Sequence, residues 1–298
     1  MHRRAWVLLG ILAALWGASY LFIKVSLGDL DPVVIVFGRT ALGALVLAPV
    51  AMRRKAFGAL RGRLAPIAVL ALVQVVAPFL LITVGEQHIA SSLAGILVSS
   101  APIFTALLAI RWAQAERSRG WRAVGIVVGI LGVALLFGVD LSTRLAALLG
   151  GLAVLTASLG YAVGALYLKQ RLSDVPAVAT AAGTMAISAL LLVPALPFAF
   201  PAHGPGLDTI GSMAALGAGG TGLAFLIFYT MINDVGPARA SIVAYVAPGF
   251  AVVYGATILD ERIRITTLAG LALILVGSYL GAEGRLPWGA RASAPEPA

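Results

Sequence analysis

YLFIK, Tyr20–Lys24, closes one apolar run, and ALYLK, Ala165–Lys169, closes another 145 positions later. Both runs belong to a chain of 298 residues that is 60% hydrophobic, only 11% charged and has a mean hydropathy of +1.00. Soluble domains carry about 25% charged residues, so this composition belongs in lipid. Apolar stretches of about 20 residues reach across a ~30 Å hydrocarbon layer. Ten are expected, over residues 5–25, 32–52, 64–84, 89–110, 121–139, 148–168, 178–198, 209–231, 238–258 and 265–283. They are continuous rather than alternating, which predicts helices and not a β-barrel. The fold class expected is an all-α integral membrane protein. The first run follows only Arg3 and Arg4 and shows no small-residue cleavage site, so it reads as a retained span.

The net charge of +9 would suggest nucleic acid in a soluble protein. Here it is read as loop charge that orients the spans, with the lipid bilayer and a small molecule as partners and no nucleic acid. With the N-terminus inside, 16 basic residues fall on the inner side. Five of them lie in RRKAFGALRGR, Arg53–Arg63. The outer side then holds only Lys24, Arg39, Arg144, Arg262 and Arg264. Both termini are expected in the cytoplasm, in a bacterial inner membrane. Arginine outnumbers lysine 18 to 3, as a GC-rich genome would give. The Pro/Ala-rich tail 285–298 reads as disordered. With no cysteine, disulfides and thiolate–metal sites are excluded. No sequence feature calls for a metal or another cofactor.

Shifted by 145, the chain meets itself repeatedly. Trp16 meets Tyr161, Lys24 meets Lys169, Pro49 meets Pro194, and Glu116–Arg117 meets Glu261–Arg262. Gly125 meets Gly270 and Gly132 meets Gly277, while APIF (Ala101–Phe104) meets APGF (Ala247–Phe250) with a one-residue slip. The expectation is two five-helix repeats, 1–140 and 141–284. An odd number of spans turns the second repeat upside down, so Lys24 ends its helix outside and Lys169 ends its own inside. Inverted repeats are the architecture of alternating-access transporters, with substrate held near the midplane between halves.

ALWGASYLFIK (Ala14–Lys24), GEQHIASSLAGILVSSAPIFTALLA (Gly85–Ala109), the Glu-Arg pair before the fifth span and SIVAYVAPGFAVVYGATILDERI (Ser241–Ile263) resemble the EamA family of the drug/metabolite transporter superfamily. The resemblance covers nearly the whole chain. It implies a ten-helix secondary transporter, often an exporter of amino acids or small metabolites. The family's usual glycine before Glu-Arg is Ala115 in the first half and Asp260 in the second.

Ionisable residues inside spans are costly and become functional candidates. Arg39 lies two turns into the second span. It either grips a substrate carboxylate or pairs with Glu86 or a helix-end carbonyl to hold the outer half. Lys24 reads as an interfacial anchor. Arg122, Arg239 and Glu283 read as snorkelling groups. No acid falls in the middle of a span, which argues against a buried-carboxylate proton relay. Glu86 and His88, in VGEQHIASS at the outer mouth, remain the candidates for coupling, or an ordinary polar loop. Trp16, Tyr20, Gln74, Ser99, Ser100, Tyr161, Tyr229 and Tyr245 are candidate cavity residues; the alternative is interfacial belt and helix packing. Gly125–Gly129, Gly160–Gly164 and Gly277–Gly281 are small-residue faces for close helix contact, between the fifth and tenth spans or in a homodimer. Pro102 and Pro248, each near a span centre, are expected to kink their helices and free the carbonyls of Val98 and Ala244, either as static bends or as hinges.

An intramembrane enzyme is the rival class, together with a non-transporting membrane subunit. HExxH and GxGD are absent, and GASY around Ser19 lacks the glycine of a rhomboid-type serine. A P-loop for ATP is absent too.

Overall fold

A computed structural model describes residues 1–112, 120–138, 144–201 and 203–283. Those residues build helices α1 (Arg3–Ser26), α2 (Pro32–Arg53), α3 (Leu64–Glu86), α4 (Ser91–Val98 and Ala101–Trp112), α5 (Trp121–Leu136), α6 (Leu145–Arg171), α7 (Ala177–Leu192), α8 (Leu207–Val235), α9 (Val243–Ile258) and α10 (Ile265–Glu283). Eight helical stretches are long and apolar enough to cross a membrane; Trp121–Leu136 and Val243–Ile258 are apolar but shorter. Large apolar side chains such as Leu45, Leu145 and Leu190 face outward. In water they would be a liability; against acyl chains they cost nothing. Glu116–Arg117 with Ala115 before it, Asp140 and the tail 285–298 lie outside the described residues.

Local chemistry sets the helix ends and the breaks within helices. Asp31 caps α2, its carboxylate accepting from the Val33 amide at 2.8 Å, and Pro32 opens the helix where no N–H is needed. α3 and α8 each widen to i→i+5 turns, at Ala71–Val76 and Ala215–Leu223. The two places correspond under the 145-residue shift. In α3 the widening ends just before Pro78, whose ring cannot join a regular ladder. In α8 it falls in ALGAGGTGL, where four glycines lower the cost of an irregular turn. α7 tightens at its end into a 3₁₀ turn over Val193–Phe198.

The packing partners of each helix recur 145 residues on. α1 lies on α9 as α6 lies on α4, and α3 lies on α6 as α8 lies on α1. α2 packs on α7, and α5 packs on α10. The correspondence is incomplete. α1 touches the first piece of α4, and the second piece of α4 touches α10. Among the described residues α6–α9 and α5–α9 make no comparable contact, and of the two pieces of α4 it is the first that packs on α9. Three buried cores result among the described residues: one around Leu47, Ile67 and Met185 of α2, α3 and α7, one around Ile23, Ile96 and Val154 of α1, α4 and α6, and one around Leu12, Met231 and Val243 of α1, α8 and α9.

The glycine faces are used within the chain. A Cβ at Gly125 would lie 2.8 Å from the Gly277 carbonyl, and one at Gly132 would lie 2.9 Å from the Ile274 amide. α5 and α10 therefore meet backbone to backbone. Gly160 faces α3, with a Cβ there 3.1 Å from the Val73 carbonyl. A homodimer would have to use another surface, because these faces are filled. Gly277→Val should lower the Tm in detergent, since overpacking typically costs about 1–3 kcal/mol. An unchanged Tm would contradict this seam.

Candidate functional site

Between the halves lies a cavity of about 670 Å³. Trp16, Tyr20, Arg39, Gln74, Ser99, Tyr161, Tyr229 and Tyr245 line it, as do Pro102 and Pro248. Repeat counterparts therefore line the same cavity: Trp16 with Tyr161, Arg39 with Thr184, Pro102 with Pro248. Ser100 does not line it. It is 1% exposed, and its hydroxyl donates to the Leu97 carbonyl at 2.7 Å. Glu86 and His88 lie elsewhere. Arg122, read from sequence as a snorkelling group, lines the cavity where it reaches the helix ends at Leu168, Thr180, Ser241 and Ala282. Phe225 and Phe228 were not anticipated. They form an aromatic cluster with Trp16, at ring-centroid separations of 6.2 and 5.3 Å, and Tyr229 continues it. Their only sequence signal is an aromatic face on α8, indistinguishable from a lipid-facing one.

Arg39 is 8% exposed and does not pair with Glu86. Its Nε donates to the Thr221 hydroxyl at 2.9 Å, and its guanidinium lies 3.7 Å over the Phe79 ring. Thr221 in turn donates to the Leu216 carbonyl at 3.0 Å, five residues back, within the widened turn of α8. These contacts fix the plane of the guanidinium. Its Nη groups have no hydrogen bond to protein among the described residues. Charged residues on the described lining are Arg39 and Arg122, with no carboxylate. The described lining is thus electropositive, apolar over most of its wall and studded with four phenols and the Gln74 amide. Such a wall suits a small molecule with a carboxylate and an apolar part.

The proline expectation needs correction. α4 stops at Val98 and restarts at Ala101, so Pro102 sits in the first turn of a new helix, where its missing N–H costs nothing. The nearby serines do not serve Val98. Ser99 donates to Ile96 at 2.5 Å and Ser100 to Leu97 at 2.7 Å, while the Ser99 carbonyl accepts from Ser278 of α10 at 3.0 Å. Pro248 does lie inside its helix, as expected.

At the opposite side cross-links join the helix ends. The Lys24 ammonium donates to the main-chain carbonyls of Glu86 and Ile89, which makes it a clamp rather than a free anchor. The Glu261 carboxylate accepts from the amides of Ser91 and Ser92, at 2.7 and 3.0 Å, at the start of α4. It reaches them from a turn in which Asp260 holds the left-handed φ of +53°. That backbone favours glycine and admits Asp more readily than most residues. The turn survives the change from the family's usual glycine. Asp29 accepts from the Thr209 hydroxyl at 2.6 Å and the Gly206 amide at 2.9 Å, and these two donors hold its carboxyl below the ordinary value. Glu86 and His88 part company: Glu86 is fully buried, His88 is exposed. The expectation of an ordinary polar loop fails for Glu86. Its position at a helix end concealed that burial.

Comparison with known proteins gives the chain a family. The model of the EamA-like transporter family matches it twice, over residues 4–138 and 148–281. An uncharacterized transporter of Archaeoglobus fulgidus is 26% identical over 93% of this chain and 98% of its own length. The uncharacterized inner membrane transporter YedA of Escherichia coli K12 is 27% identical over 93% of this chain and 94% of its own. A probable amino-acid metabolite efflux pump of the same strain is 26% identical, covering 97% of each chain. A solved structure with a TM-score of 0.68 and 19% identity spans 94% of this chain and 96% of its own, and shares the fold. With apolar helices throughout and the family matched once in each half, the chain is a multi-pass membrane protein that belongs to the EamA-like transporter family.

Proposed function

We propose that this protein is a secondary transporter that exports amino acids or related small metabolites by alternating access, without ATP. In this reading ten helices cross a bacterial inner membrane as two inverted five-helix repeats, 1–140 and 141–284, with both termini in the cytoplasm. The observation that carries it is the cavity of about 670 Å³ between the halves, whose lining reaches the helix ends on one side while polar cross-links join the helix ends on the other. The recurrent packing pairs support the inverted repeat. The distribution of basic residues supports the orientation, and so makes the open end cytoplasmic. The name of one E. coli relative, an efflux pump for amino-acid metabolites, supports the substrate class. The electropositive lining, without a carboxylate among the described residues, supports it independently.

Reconstituting the purified chain alone in liposomes tests this reading. Counterflow of radiolabelled amino acids, screened with and without a pH gradient, should reveal saturable exchange. No exchange of any amino acid or amino-acid metabolite would reject it, and product formation without exchange would restore the enzyme reading.

Orientation is open to a separate check, because the chain has no cysteine. A single cysteine at His203 should react with an impermeant thiol reagent in intact cells. One at Phe57, in the Arg53–Arg63 loop, should react only after permeabilisation. The reverse pattern would invert the topology.

The two prolines supply a hinge prediction. Below the Ser99–Ser100 break the second piece of α4 leaves α9, whereas the first piece stays packed on it. Pro102→Ala and Pro248→Ala should bias the protein toward opposite facing states, each slowing exchange more than it weakens substrate binding. Shifts in the same direction would reduce both prolines to packing features.

A further inference from the structure

The outer end of α3 holds a carboxylate that the cavity does not use. Glu86 is fully buried, and neither of its carboxylate oxygens has a hydrogen-bond partner. The groups that ought to satisfy it are committed elsewhere. Lys24 of α1 is bonded to the main-chain carbonyls of Glu86 and Ile89, not to the carboxylate. Arg39 of α2 is bonded to Thr221. Glu261, from the turn before α10, repels a second negative charge and is itself held by the Ser91 and Ser92 amides of α4. The Tyr20 phenol of α1 also feels this carboxylate. α6 packs against Gly85 with Gly150 and Val154, and brings no charge. Two further hydroxyls at outer helix ends, Ser26 of α1 and Ser91 of α4, are likewise buried without partners. An ionised carboxylate taken out of water with no donor costs far more than the neutral acid.

We propose that Glu86 is a proton-binding site of the outer closure. The proton comes from outer water and is taken up by the carboxylate as α1, α3, α4 and the turn at Glu261 close around it. It returns to that water when they part. On opening, the ionised carboxylate gains hydration and the Lys24 ammonium, which leaves the two carbonyls. This rests on the alternating-access reading. It adds to that reading a titratable group outside the substrate cavity. The closed state binds one more proton than the open state, so closure weakens as outer pH rises, by about tenfold per pH unit at most.

Spin labels on cysteines at the exposed positions Gln87 and Arg262, in full-length protein in nanodiscs, read the outer mouth directly. From mildly acidic to mildly alkaline buffer, the short-distance population should give way to a longer one. Glu86→Gln, a permanent mimic of the neutral acid, should remain short throughout, whereas Glu86→Asp should restore the response. A wild-type distribution independent of pH, or a Glu86→Gln variant that opens as the wild type does, overturns the proton site. Amino-acid counterflow with the same labelled proteins reconstituted in liposomes separates the two claims. Exchange without a pH-dependent mouth rejects the proton site and leaves the transporter reading. A pH-dependent mouth without exchange rejects the transporter reading and leaves the proton site.

Discussion

Replacing Arg39 by glutamine is expected, on the proposed function, to weaken binding of an amino-acid substrate by roughly 30- to 5,000-fold, and binding of its amide far less. The range corresponds to the ~2–5 kcal/mol lost when one partner of a desolvated charge pair is removed. Thr221 and Phe79 hold the guanidinium by its Nε and its face, and leave the Nη edge toward the cavity. That edge is the part that takes a carboxylate in two parallel bonds. Stability should change little, because Thr221 keeps its bond to Leu216 when the arginine is gone. Equal losses for acid and amide, accompanied by a large fall in Tm, would assign Arg39 to structure alone. Thr221→Val provides the companion test. It frees the guanidinium plane and should reduce discrimination between acid and amide without abolishing binding.

Glu261→Ala should have the second large effect, on the balance of facing states. Two charge-assisted bonds join its carboxylate to the first turn of α4, across 170 and 169 residues of sequence. Hydrogen bonds to a charged group contribute about 1.5–3 kcal/mol. Their loss should move the equilibrium toward an open outer mouth by roughly 10- to 150-fold. Ile23 lines the cavity toward the side that the proposed orientation puts outside, and it is 1% exposed. A cysteine there should be nearly inert to impermeant reagent from outside in the parent chain and reactive once Glu261 is changed. Unaltered reactivity would show that other contacts, such as Lys24 on the end of α3, hold the mouth shut unaided.

The elements differed in how far they could be read from sequence. Apolar runs with charged ends predicted the helices and most of their limits, because the bilayer demands length and hydropathy and little else. The duplication was legible from prolines, glycines and the lysine-terminated runs at constant spacing. The α5–α10 seam followed from its glycines. Three features did not follow. The widened turns at Ala71–Val76 and Ala215–Leu223 leave apolar periodicity nearly unchanged. The break at Ser99–Ser100 lies two to three residues before the proline expected to bend the helix. The polar cross-links Arg39–Thr221 and Glu261–Ser91 join positions 182 and 170 residues apart, and nothing local marks Thr221 or Ser91 as the partner. Glu86 shows the same limit in reverse. A carboxylate at a helix end suggests solvent, and only the packing of α1, α4 and α6 around it reveals burial.

A cavity that opens to one side at a time is the central claim, and a cysteine at Gln74 measures it. Gln74 lines the cavity within the widened turn of α3, and the chain offers no other thiol. Membrane-impermeant thiol reagent should label it in inside-out vesicles and not in right-side-out ones. With Glu261→Ala the labelling should move to the right-side-out vesicles. Labelling from both sides in one state would mean an open pore, and labelling from neither would mean a sealed void; either result contradicts alternating access.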